Sequence, residues 1–124
     1  MKSAVLYVWT EEASKEEKLN QADFLIDYIK GFGEVKIVRV YFDSNGWDMN
    51  SKITGLCELL TDALNKKIDC IVIRSLSRPC SDYVKLLALL KLLRHLNIRL
   101  ISVDEKYDSF SESSREVLGG YNIR

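Results

Sequence analysis

Residues 68–78, Ile-Asp-Cys-Ile-Val-Ile-Arg-Ser-Leu-Ser-Arg, constrain the fold of this chain more than any other stretch. Four of the five residues 69–73 are apolar and three are β-branched. That composition describes a strand buried on both faces, as in a parallel sheet. The polar segment from Arg74 to Arg78 follows where the strand should end. In open α/β sheets, ligands and chemistry gather beyond the carboxyl ends of the strands. A guanidinium there is placed to hold a phosphate through two parallel hydrogen bonds. Pro79 then suits the first turn of a following helix.

The same alternation runs from end to end. Residues 3–9, 34–42 and 99–103 read as further strands. Residues 11–30 read as a helix with Ala22, Leu25, Ile26 and Ile29 on one face. Glu11, Glu12, Glu16 and Glu17 suit its N-terminus, and Gly31 and Gly33 end it. Residues 52–66 carry a helical pattern through Ile53, Leu56, Leu59, Leu60, Ala63 and Leu64. Residues 81–96 form a third helix, apolar enough to be buried on more than one side or to lie under a partner. The turn-rich segment 43–48 and the polar Asp104-Glu105-Lys106 read as loops, the latter solvated. This βαβαβαβ rhythm predicts one α/β domain over 1–124. Its form is a three-layer, mostly parallel sheet of four to five strands with helices on both faces, flavodoxin-like in topology.

With 124 residues the chain can bury a substantial core, and its formal net charge is zero. Neutrality argues against a free-standing nucleic-acid binder, which relies on many phosphate contacts. The three cysteines form no CxxC pair; Cys57 and Cys70 fall at core-like positions. An odd count without a signal peptide points to a reducing, cytoplasmic setting. His95, the single histidine, has no ligand partner at metal-binding spacing and reads as a residue near a helix end. No metal or cofactor is expected. No apolar run reaches the ~20 residues that span a bilayer.

Residues 68–78 resemble the "IDxVVVxxLSRLGRD" strand and loop in the N-terminal catalytic domain of the serine recombinases (resolvases and invertases). Other stretches agree in order. Residues 4–8 resemble that family's opening strand, Gln21 and Tyr28 its first helix, and Val40, Tyr41, Phe42 and Asp43 its second strand. Gly55, Leu56 and residues 59–63 are similar to the helix feeding the third strand. Residues 99–103, followed by Tyr107, Asp108 and Ser109, are similar to the last strand and the turn after it. The resemblance implies a resolvase-like fold and DNA strand exchange, in which a serine hydroxyl attacks a phosphodiester while arginines stabilise the charge that develops. In that family a long dimer helix and a DNA-binding region follow. Here the chain ends about where that helix would extend, as a lone domain or a trimmed piece.

The motifs are depleted. The family's Tyr-x-Arg-x-Ser keeps Tyr7, has Trp9 at the arginine, and lacks the serine. With one deletion, Thr10 is the only hydroxyl nearby, a weak nucleophile whose β-branch crowds in-line attack. The Arg-Pro pair reads Ile53-Thr54, with Lys52 adjacent. The Leu-Ser-Arg-Leu-Gly-Arg-Asp motif keeps Ser77 and Arg78 but has Ser81 at its second arginine. One arginine of four remains. Each lost charge contact costs ~3 kcal/mol, about a hundredfold in rate.

The resemblance therefore implies a recombinase-like domain without strand exchange, acting through association with itself or an active recombinase as a regulator of a mobile element. DNA binding by this chain alone is expected to be weak or absent, and no membrane is involved. The alternative is residual phosphoryl-transfer or strand-exchange chemistry by Thr10 with Arg78. A flavodoxin-shaped small-ligand binder is discounted, because Thr10-Glu11-Glu12 offers no phosphate cradle. Plainer roles compete at each position: Arg78 tethered to Asp82 or Asp43, Tyr7 as a packed aromatic, Trp9 and Trp47 as loop packing or an exposed contact pair.

Overall fold

Two strands with continuous apolar centres, β1 (Lys2–Trp9) and β3 (Cys70–Ile73), lie side by side at the middle of the sheet in this computed structural model. The structure describes residues 2–11, 14–33, 35–44, 53–80 and 82–110. Between and after these strands come α1 (Lys15–Ile29), β2 (Val35–Asp43), α2 (Thr54–Leu64), α3 (Tyr83–His95), β4 (Arg99–Ser102) and β5 (Tyr107–Asp108). The strand order is β2-β1-β3-β4-β5. The first four run parallel, and β5 pairs antiparallel with β4. The expected mostly parallel α/β sheet is thus found, with a fifth strand that makes it mixed.

Period-two alternation in β1 builds both cores. Val5 and Tyr7 enter the layer with α2 and α3, alongside Leu59, Ile71, Leu86 and Leu93. Ala4, Leu6 and Val8 enter the layer with α1, against Ala22, Leu25 and Ile29. Helices therefore cover both faces. A register shift between Ala4 and Val5 leaves Val38 unpaired in β2, since Ala4 pairs with Ile37 and Val5 with Arg39. This bulge turns Arg39, Tyr41 and Asp43 toward the α2 side.

Several boundaries differ from the sequence reading. Helix α1 begins at Lys15, four residues later than expected, because the Ser14 hydroxyl accepts from the Glu17 N–H at 3.2 Å. Ser-x-x-Glu is a capping signature, and it outweighs the acidic residues upstream. Pro79 is not in the first turn of α3; the Asp82 side chain caps that helix by accepting from the Val84 and Lys85 N–H groups. Cys57 is exposed rather than in the core, because α2 turns Leu56, Leu59 and Ala63 inward and Cys57 outward. Cys70 is buried, which pushes its thiol up to about 11. His95 closes α3 as expected. Among the described residues, no helix is long and apolar enough to cross a membrane.

Candidate functional site

Chain order reverses between β1 and β3: β2 lies on one side of β1, and β3 continues on the other. In sheets of this order, that switch point opens a crevice beyond the carboxyl ends of the two strands. Trp9, Thr10, Glu11, Glu17, Gln21 and Arg78 line an open cleft of about 560 Å³ there. Thr10 and Arg78, far apart in sequence, are brought to one cavity. Thr10 is only 6% exposed, and its N–H donates to the Asp43 carbonyl at 3.2 Å, extending the β1–β2 ladder.

Asp43 ends β2 and is heavily engaged. Its carboxylate accepts from the Tyr7 hydroxyl at 2.6 Å, the Gly55 N–H at 2.8 Å and the Leu56 N–H at 2.7 Å. The residue before α2, Ile53, contributes no side-chain cap and packs against the core. Asp43 thus caps α2 from another element, meeting two of its orphan N–H groups and its positive end. The close approach requires Gly55: a Cβ there would stand 2.5 Å from the Phe42 carbonyl oxygen. A helix terminus suited to an anion is already filled by the chain's own carboxylate.

The segment after β3 is pinned from the far side. Glu105 accepts from the Ser75 hydroxyl at 2.9 Å and the Leu76 N–H at 2.7 Å, and also from the Ser102 hydroxyl. Arg74 is spent structurally: it bonds Asp104 at 3.1 Å and Gln21 at 3.4 Å, with its guanidinium 4.0 Å from the Phe24 ring centre. Asp104 and Lys106 are exposed, as their polarity suggested, while Asp104 and half-buried Glu105 also act as braces. Leu76 and Pro79 are buried on either side of exposed Ser77 and Arg78. Ser77 lies 3.1 Å from the Ser75 hydroxyl.

Arg78 is tethered neither to Asp43 nor to Asp82, whose carboxylates serve α2 and α3; it makes no hydrogen bond or ion pair among the described residues. Tyr7 is 1% exposed, a packed aromatic whose hydroxyl is committed to Asp43. Trp9 lines the cleft while packing against the core. Ser81, Lys52 and Trp47 lie outside the described residues. Among the described residues that line the cleft, one exposed guanidinium accompanies Glu11 and Glu17, and the Glu17 carboxylate accepts from Gln21 at 3.1 Å. Among the described residues, no group of His, Cys, Asp and Glu is arranged to hold a metal ion.

A family model for the N-terminal domain of resolvases matches residues 10–121. Comparison with curated proteins finds no match. Among solved structures, the chain is similar to the N-terminal catalytic domain of TP901-1 integrase, with a TM-score of 0.77 at 21% identity over 98% of this chain and 94% of that one. It is similar to the C-terminal catalytic domain of ISC1926 TnpA, an IS607-like serine recombinase, with a TM-score of 0.69 at 19% identity over 97% and 78%. A resolvase family site-specific recombinase from Streptococcus pneumoniae gives 0.68 at 17% identity over 99% and 87%. At such identities the likeness is one of fold.

Proposed function

The chain belongs to the serine recombinase (resolvase) family, and from that premise we propose that it is a domain without strand-cleaving activity that works through protein association. Its partner is a second copy or an active recombinase, its setting the cytoplasm, and its role the regulation of a mobile element. The observation that carries the reading is the charge of the cleft: Arg78 is accompanied by Glu11 and Glu17. Among the described residues that line it, a phosphodiester entering there meets two carboxylates and one cation, whereas cleavage requires several positive groups around the developing charge. Asp43 further fills the α2 terminus with a fixed negative charge. The framework that holds the fold is meanwhile kept, with both core layers filled.

The test is sedimentation of the chain alone and mixed with an active full-length serine recombinase, together with that recombinase's activity. The expected result is a complex in at least one sample and altered recombination in the mixture. Unchanged monomer mass in both, with unaltered recombination, contradicts the reading.

A second reading draws on the shared position of Thr10 and Arg78 in one cleft. There the threonine hydroxyl attacks the phosphorus of a phosphodiester and gives its proton to water. The bond from phosphorus to the departing sugar oxygen breaks, that oxygen takes up a proton from water, and Arg78 steadies the phosphoryl oxygens. Its support is weaker, because Thr10 is nearly buried and the flanking acids repel the substrate.

A further inference from the structure

Zero net charge conceals a segregation between two helices, α1 and α3. Helix α3 carries Lys85, Lys91 and Arg94 and no acidic residue between Tyr83 and His95. Helix α1 carries four acidic residues against two basic ones between Lys15 and Ile29. The outward ridges continue this split. In α3, Leu86 and Leu93 enter the core, so the opposite ridge presents Val84, Ala88, Lys91 and His95, all exposed. Val84 is 74% exposed, and half-buried Leu87, one turn on, belongs to neither core layer of the described residues. In α1, Ala22, Leu25 and Ile29 are buried, so the opposite side presents Glu16, Asp23 and Asp27, with Leu19 52% exposed at its flank.

The two ridges match in spacing as well as sign. Leu19, Asp23 and Asp27 follow one another at intervals of four residues, as do Leu87, Lys91 and His95. Laid parallel, Leu19 meets Leu87, Asp23 meets Lys91, and Asp27 meets His95 and its neighbour Arg94. Four-residue ridges on both helices interlock at a crossing angle of about −50°, so the contact centres on one crossing point, at Asp23 and Lys91. Among the described residues, Asp27 is engaged only by an exposed contact to Lys30 at 3.6 Å, a pair of little net worth. Because α1 and α3 cover opposite faces of the sheet, these ridges cannot meet within one molecule.

We infer that the α3 ridge of one copy docks along the α1 ridge of a second copy, a head-to-tail contact with apolar residues at one end and opposite charges at the other. The inference rests on the association reading above and names its surface. Such a contact is heterologous, so it generates a ring or an open stack rather than a closed two-fold dimer. Each added copy leaves one acidic and one basic ridge free.

The experiment is sedimentation of the full chain over a concentration series, in low salt and in about 1 M salt, where the screening length falls to ~3 Å. The wild type is expected to gain mass with concentration in low salt and to return toward monomer in high salt. D23K/D27K and K91E/R94E are each expected to weaken association at least tenfold. An equimolar mixture restores it, because each variant keeps the ridge the other lacks. A wild type that stays monomeric throughout overturns this surface and the self-association half of the proposed function together. Association that survives in both variants overturns the surface alone. So does association that is lost in both without rescue on mixing. Loss of duplex DNA binding by K91E/R94E with unchanged mass also overturns it, and assigns the basic ridge to nucleic acid.

Discussion

The Tyr7 hydroxyl donates to the Asp43 carboxylate at 2.6 Å inside the protein. That one bond joins the central strand, an edge strand and the start of α2, because the same carboxylate caps the helix through Gly55 and Leu56. Asp43→Ala is expected to lower stability by about 2–4 kcal/mol, since it removes a helix cap and the acceptor of a buried hydroxyl. Tyr7→Phe removes one charged hydrogen bond, about 1.5 kcal/mol. The double variant should lose less than the sum, because the two residues share a partner network. Denaturant unfolding of the three variants checks this; strict additivity contradicts it.

Gly55 is held to glycine by space. A Cβ would stand 2.5 Å from the Phe42 carbonyl and 3.0 Å from the Asp43 carboxyl carbon, and neither can swing away cheaply. Gly55→Ala is expected to cost about 1–3 kcal/mol, although alanine is the better helix former. A thermal midpoint at or above that of the wild type contradicts the close approach.

Acid should weaken the attachment of β5. Arg99 bonds both Asp108 oxygens, at 2.9 and 2.5 Å. Burial pushes the Asp108 carboxyl up, but the Arg99 hydrogen bonds and the Phe110 N–H outweigh it and leave it below its ordinary value of 3.8. A depressed carboxyl contributes stability that is full above the unfolded value and drains as pH falls through the folded one. Asp108→Asn is therefore expected to be about 1–2 kcal/mol less stable than the wild type at pH 7. The gap should hold down to about pH 4 and close below it. Thermal midpoints between pH 7 and pH 2.5 measure it, and a gap that widens in acid is the wrong sign.

The layered architecture was legible because it rests on apolar period: Val5, Leu6, Ile71 and Val72 are buried as their pattern requires. Strand β5 was not, since two residues held by Arg99 and the Ser109 backbone carry no period. Thr10 and Arg78 were legible as a pair only through resemblance, and the fold supplies the cleft that joins them. Asp43 as a helix cap escaped notice because its helix begins eleven residues further along the chain, at Thr54. One signal was present: α2 opens after Ile53, a residue unable to cap it. Glu105 gave no signal, because its partners Ser75 and Leu76 are 30 and 29 residues away. A carboxylate in a polar run reads as solvated until the sheet folds around it.

The absence of strand cleavage is tested most directly by a denaturing gel of labelled duplex DNA incubated with the full chain, alongside Thr10→Val and Arg78→Ala. The account predicts no covalent protein–DNA species in any lane. An adduct formed by the wild type and lost in Thr10→Val would contradict it, and would make the buried threonine a working nucleophile.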